Sequence, residues 1–141
     1  MESFSIWLEA RTNLLQQLNA LKPQFIQVAQ QVYNAWSAGE DDDLNGGGIC
    51  DQIAGEIADV INHHVIGVNA GTIQSGCGEN HIWVIVHDDQ SAFEVDVPYH
   101  IYERGGGYNW EKIPGVIFKP QDVVISPMNY QDAVNALEYE S

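Results

Sequence analysis

Positive charge is what this sequence most obviously lacks. Five Lys and Arg stand against 20 Asp and Glu, for a formal net charge of −15. Phosphate contacts need clustered Lys and Arg, so nucleic acid is a poor partner. An anionic membrane surface is disfavoured for the same reason. The shortage is also local. No Lys or Arg occurs between Lys22 and Arg104, while thirteen acidic residues fall between Glu40 and Glu103. That stretch carries a negative field that draws in cationic groups and repels acidic ones. The plain use of such acidity is solubility.

Cysteine is scarce as well. Cys50 and Cys77 are too few for a disulfide framework, and they offer no CxxC redox or metal spacing. A cytosolic setting argues against a single Cys50–Cys77 bridge. Each is then a small buried hydrophobe or a working thiol. Uncharged apolar runs fall far short of a membrane span. The opening segment, MESFSIWLEART, lacks a basic n-region and a small-residue cleavage site, so it does not read as a secretory signal. A cytoplasmic location is expected, with export by another route left open.

Enough apolar material is present for a core: 45% of the 141 residues are hydrophobic, and four are Trp. Length and composition predict a single domain over residues 1–141. Apolar residues at three- and four-residue spacing predict a helical pair within residues 1–37, over 4–21 and 23–36. Pro23 suits the first turn of the second helix. Residues 37–48, SAGEDDDLNGGG, read as a loop. A third helix is expected over 49–63, with Ile53, Ile57, Val60 and Ile61 as its buried stripe and Asp51 in its first turn. After His64 the period turns strand-like. Strands are expected over 65–73, 81–86, 92–97, 116–118 and 122–126, and a closing helix over 130–139. Helices followed by antiparallel strands make an α+β fold.

Three residues stand out by placement. Cys50 follows three glycines and opens the third helix, where unpaired N–H groups and the helix dipole favour a thiolate. His81 opens the most β-rich segment, and Asp96 lies on the next strand. A four-residue turn over His87–Gln90 pairs His81 directly with Asp96. A two-residue turn at Asp89–Gln90 shifts the register by two and keeps both on one face, whereas a three-residue turn separates them. In a triad, Cys50 is the nucleophile, His81 takes its proton and later gives one to the leaving amine, and Asp96 fixes the ring tautomer. The backbone N–H of Cys50 supplies half an oxyanion hole, with Asn45 and Trp36 the candidates for a second donor.

The order Gly48-Ile49-Cys50 on a helix, His81-Ile82-Trp83 on a strand and Val95-Asp96 on the next strand resembles the transglutaminase-like branch of the papain-like cysteine peptidases. The resemblance covers about residues 46–126. It implies a central catalytic helix packed on an antiparallel sheet, and acyl chemistry on an amide through a thioester. Peptide hydrolysis, Gln deamidation and transfer to an amine all remain open. Gly48 and Trp83, as motif residues, join Asn45 and Trp36 as candidates for oxyanion or substrate contact. The expected partner is a peptide or protein, basic if the acidic stretch steers it, with an amine acceptor if the chemistry is transfer. No cofactor or metal is called for.

Two other classes stay in view. One is a zinc site from Cys50, Cys77, His81 and His63 or His64. The other is a non-catalytic acidic module that docks a basic partner on the same scaffold. His63 and His64 suit the end of a helix better than catalysis. His87 is expected at the exposed end of its strand, and Cys77 is expected to be incidental.

Overall fold

The computed structural model describes residues 14–36, 49–74, 82–104 and 111–140. Residues 14–20 are helical (α1), followed by α2 over Lys22–Ala35, α3 over Cys50–His64 and α4 over Tyr130–Glu140. The strands are β1 (Asn69–Gln74), β2 (Ile82–His87), β3 (Ala92–Asp96), β4 (Glu103–Arg104), β5 (Glu111–Lys112) and β6 (Val124–Pro127). β1, β2, β3 and β6 form one antiparallel sheet in that order, and β4 pairs with β5 alone. The fold is α+β. No helix among the described residues is long and apolar enough to cross a membrane.

The sheet is covered on both faces. Val84, Val86 and Val95 point toward α3 and join Phe25, Ile53, Ile57 and Ile61 in the main core. Ile85 and Ala92 point the other way, with Trp83 beside them, and meet Ala133, Ala136 and Leu137 of α4. This follows from the two-residue period of a strand: neighbouring side chains leave opposite faces. α4 lies close enough that a Cβ on Gly71 of β1 would stand 2.9 Å from the Leu137 side chain. The outer edge of β1 is tied to α3, because Asn62 Nδ2 donates to the Ala70 carbonyl (3.0 Å) and the Ala70 amide donates to Asn62 Oδ1 (3.2 Å).

Several expectations need correcting. The strand expected from residue 65 begins only at Asn69. Val65 instead donates to the Ile61 carbonyl at the end of α3, and Gly67 turns the chain at φ 81°. Residues 116–118 pair with no strand among the described residues. Their backbone is held by α2 side chains: Gln30 Nε2 donates to the Val116 carbonyl (3.1 Å), the Phe118 amide donates to Gln30 Oε1 (2.9 Å), and the Val116 amide donates to the Tyr33 hydroxyl (3.1 Å). That hydroxyl donates in turn to the Ile113 carbonyl. Residues 122 and 123 precede β6, with Asp122 in a 3-10 turn over Pro120–Asp122. The short β4–β5 pair falls where the residue pattern predicts no strand.

Candidate active site

Cys50 is the first residue of α3, and Ile49 before it supplies no side-chain cap. The sulfur is carried on the helix face that packs on the sheet, and Cys50 is buried, 7% exposed. Asp51 lies beside it in the same first turn. At the other end of α3, His64 Nδ1 lies 2.9 Å from the Val60 carbonyl and its ring meets that of His63. This is the helix-end role expected for the pair. A helix rises 1.5 Å per residue, so Cys50 and His63 are separated by roughly 20 Å. That separation is too large for ligands of one ion, and the zinc set that joins Cys50 to His63 or His64 is ruled out. No cluster of three metal-ligating side chains occurs among the described residues.

The hairpin carrying the other two expected residues closes through the shorter turn. The register pairs His87 with Ala92 and Val84 with Val95, which leaves Asp89 and Gln90 as the two central turn residues. Asp88 fixes it, since its Oδ1 accepts the Gln90 and Ser91 amides, both at 2.7 Å. An Asp side chain that mimics a backbone acceptor in this way is a strong turn former. Asp96 ends β3 one residue past the Val84–Val95 pair and is itself paired with Val124 of β6. By alternation Asp96 leaves β3 on the side opposite Val95, the side that Trp83, Ile85 and Ala92 share with α4, and reaches the α3 edge only where β3 ends. His81 immediately precedes β2 and lies outside the described residues, as do Asn45, Gly48 and Cys77.

Cys50 and Asp96 meet at a small cavity of about 10 Å³ where α3 begins and β3 ends. Ile53, Ala54 and Ile57 of α3 wall one side, and Ile82, Trp83, Val95 and Val97 wall the other. The volume is about that of one water or one ligand oxygen. Trp83 therefore borders the same cavity as Cys50 and Asp96. Trp36 does not border this cavity. It ends α2 against Tyr33, with its carbonyl accepting Lys112 Nζ at 2.8 Å. His87 also differs from expectation, being buried with its ring edge against Tyr130 at 5.6 Å.

A further residue completes the cavity wall. Tyr102 follows the 3-10 turn Tyr99–Ile101, and its side chain is fully buried. Burial holds its phenol well above the ordinary tyrosine range, and the neighbouring Cys50, Glu103, Asp96 and Asp51 push it in the same direction. Burial thus favours the neutral phenol in the folded protein. Tyr102 carries no sequence signal of a site, because it lies outside every helix and strand that the residue pattern predicts. Glu103, next to it, is buried too, which is unusual for a carboxylate. No family model, no curated protein and no solved structure matches this chain.

Proposed function

We propose that the chain is a cysteine-dependent amide hydrolase or acyl transferase of the transglutaminase-like, papain-like kind, working through Cys50, His81 and Asp96. The observation that carries this reading is that Cys50 and Asp96, far apart in sequence, border one cavity. Two further features support it. Cys50 sits at a helix N-terminus, where N–H groups and the dipole stabilise negative charge. Ile82 also borders the cavity, and His81 is joined to it by one peptide bond.

In the proposed reaction His81 removes the Cys50 proton and the sulfur adds to the carbonyl carbon of an amide. The S–C bond forms as the carbonyl electron pair moves to oxygen. When that pair returns, the C–N bond breaks and His81 gives its proton to the departing amine. Water or a second amine then attacks the thioester and releases Cys50. Asp96 holds the imidazole in its working tautomer. The scheme needs no metal or cofactor. The substrate is a peptide or protein, and an amine is the acceptor where transfer is the outcome.

The test is a panel of three assays on the full chain: peptide cleavage, ammonia release from Gln peptides, and incorporation of a labelled amine. One assay should report turnover, and Cys50→Ala and His81→Ala should abolish it. Asp96→Asn should lower it by roughly 10³-fold or more, the scale of loss when a triad carboxylate is removed. Turnover that survives Cys50→Ala would refute the proposal.

A further inference from the structure

Tyr102 presents an unexplained cost. Its backbone is pinned on both sides, the amide donating to the Tyr99 carbonyl (3.1 Å) and the carbonyl accepting from Ile113 (2.9 Å). The ring is wedged against Phe118, with centroids 6.0 Å apart. The hydroxyl is buried and has no hydrogen-bond partner among the described residues. An unsatisfied buried hydroxyl costs on the order of 1–3 kcal/mol, which Phe at this position would avoid. The residue nevertheless borders the cavity shared by Cys50 and Asp96, a space about the size of one oxygen-bearing group.

The surroundings say what such a hydroxyl can do. Asp51 lies in the first turn of α3, Asp96 ends β3, and Glu103 is the next residue after Tyr102. These acids make further negative charge in the cavity costly. A reaction that places an oxyanion there needs a donor that is neutral, fixed and already stripped of water, because such a donor needs no reorganisation as charge develops. Tyr102 meets all three conditions.

Building on the proposed acyl chemistry, we propose that the Tyr102 hydroxyl is the side-chain hydrogen-bond donor of the Cys50 site. It binds the oxygen that becomes negative when the sulfur adds to an acyl carbon. The donor keeps its proton throughout. It donates a hydrogen bond as the carbonyl pair moves to oxygen, and releases the oxygen when the carbonyl re-forms. The role sought for Asn45 or Trp36 falls to a residue beyond Asp96 in the chain.

Two reagents separate this role from a structural one. Iodoacetamide alkylates sulfur by displacement and forms no oxyanion, whereas p-nitrophenyl acetate acylates sulfur through one. Both rates are read at Cys50 by peptide mapping, on the parent protein and on Tyr102→Phe. This substitution removes one unsatisfied oxygen and leaves the ring packing in place. Acylation should slow by roughly 10²-fold, the usual effect of losing one oxyanion donor, while alkylation stays within about twofold. Equal slowing of both reactions would make Tyr102 structural, and no change in either would leave it without a role. Either result overturns the inference while acylation of the parent stands. A parent protein whose Cys50 is never acylated would instead refute the acyl chemistry itself.

Discussion

Cys50 and Asp96 reach the same cavity from unlike elements, one from the first residue of a helix and the other from the last residue of a strand. A helix start presents unpaired N–H groups, and Asp96 is held at the end of β3 by its pairing with Val124 of β6. The arrangement makes several measurable statements about the protein.

Alkaline stability should depend on Tyr102. Its phenol is raised above the unfolded value of about 10, chiefly by burial. Above that pH the unfolded chain releases a proton that the folded chain keeps, so stability is intact below pH 10 and falls as pH rises beyond it. One such group contributes a slope of up to about 1.4 kcal/mol per pH unit. Urea unfolding at pH 9 and pH 11 should show a smaller loss for Tyr102→Phe than for the parent. Equal losses would mean that the phenol ionises in the folded state.

The tie between α2 and residues 116–118 should be worth more than its exposure suggests. Gln30 satisfies both the Val116 carbonyl and the Phe118 amide. Gln30→Ala leaves these backbone groups unserved and should cost about 1–3 kcal/mol. Hydrogen exchange at the Phe118 amide should accelerate well beyond that at Ile57 in α3. Unchanged protection at Phe118 would show that another group replaces Gln30.

The α3–sheet interface should dominate folding. Ile61 is fully buried in the main core. Ile61→Ala should cost about 2–5 kcal/mol through lost transfer and the cavity left behind. A loss below about 1 kcal/mol by chemical denaturation would contradict the packing described.

Much of this architecture is legible in the sequence, for identifiable reasons. α2 and α3 have apolar residues at helical spacing, β2 is dense in β-branched residues and β3 alternates apolar with acidic ones, so their boundaries fall within a residue or two. The hairpin register hinged on turn length, and that was settled by the Asp88 side chain. Residues 116–118 look like a strand because Val, Ile and Phe suit one. Their hydrogen bonds go to Gln30 and Tyr33, partners more than eighty residues away that no local pattern reveals. β4 and β5 are only two residues each, too short for any period to register. Motif order singled out Cys50, Asp96 and Trp83, and all three line one cavity. It did not single out Tyr102, because a 3-10 turn brings it to the cavity and its burial is a property of tertiary packing.

Charge should steer substrate choice. The chain has no Lys or Arg between Lys22 and Arg104, a stretch that includes Cys50, His81 and Asp96. A negative field raises encounter rates with cationic peptides and weakens with salt over about 8 Å at physiological ionic strength. Basic peptide probes should label Cys50 faster than matched acidic ones, and the difference should shrink in high salt. Replacing Glu40, Asp41, Asp42 and Asp43 by Gln or Asn should narrow it further. Identical rates for both probes at low salt would remove steering and leave the catalytic reading intact.

The most direct test of the central claim is intact mass after incubation with an electrophilic peptide-like amide probe, on the parent protein and on Cys50→Ala. The account predicts one adduct per chain on the parent, mapped to Cys50, and none on Cys50→Ala at equal time. An adduct that persists in Cys50→Ala, or that maps to Cys77, would contradict it.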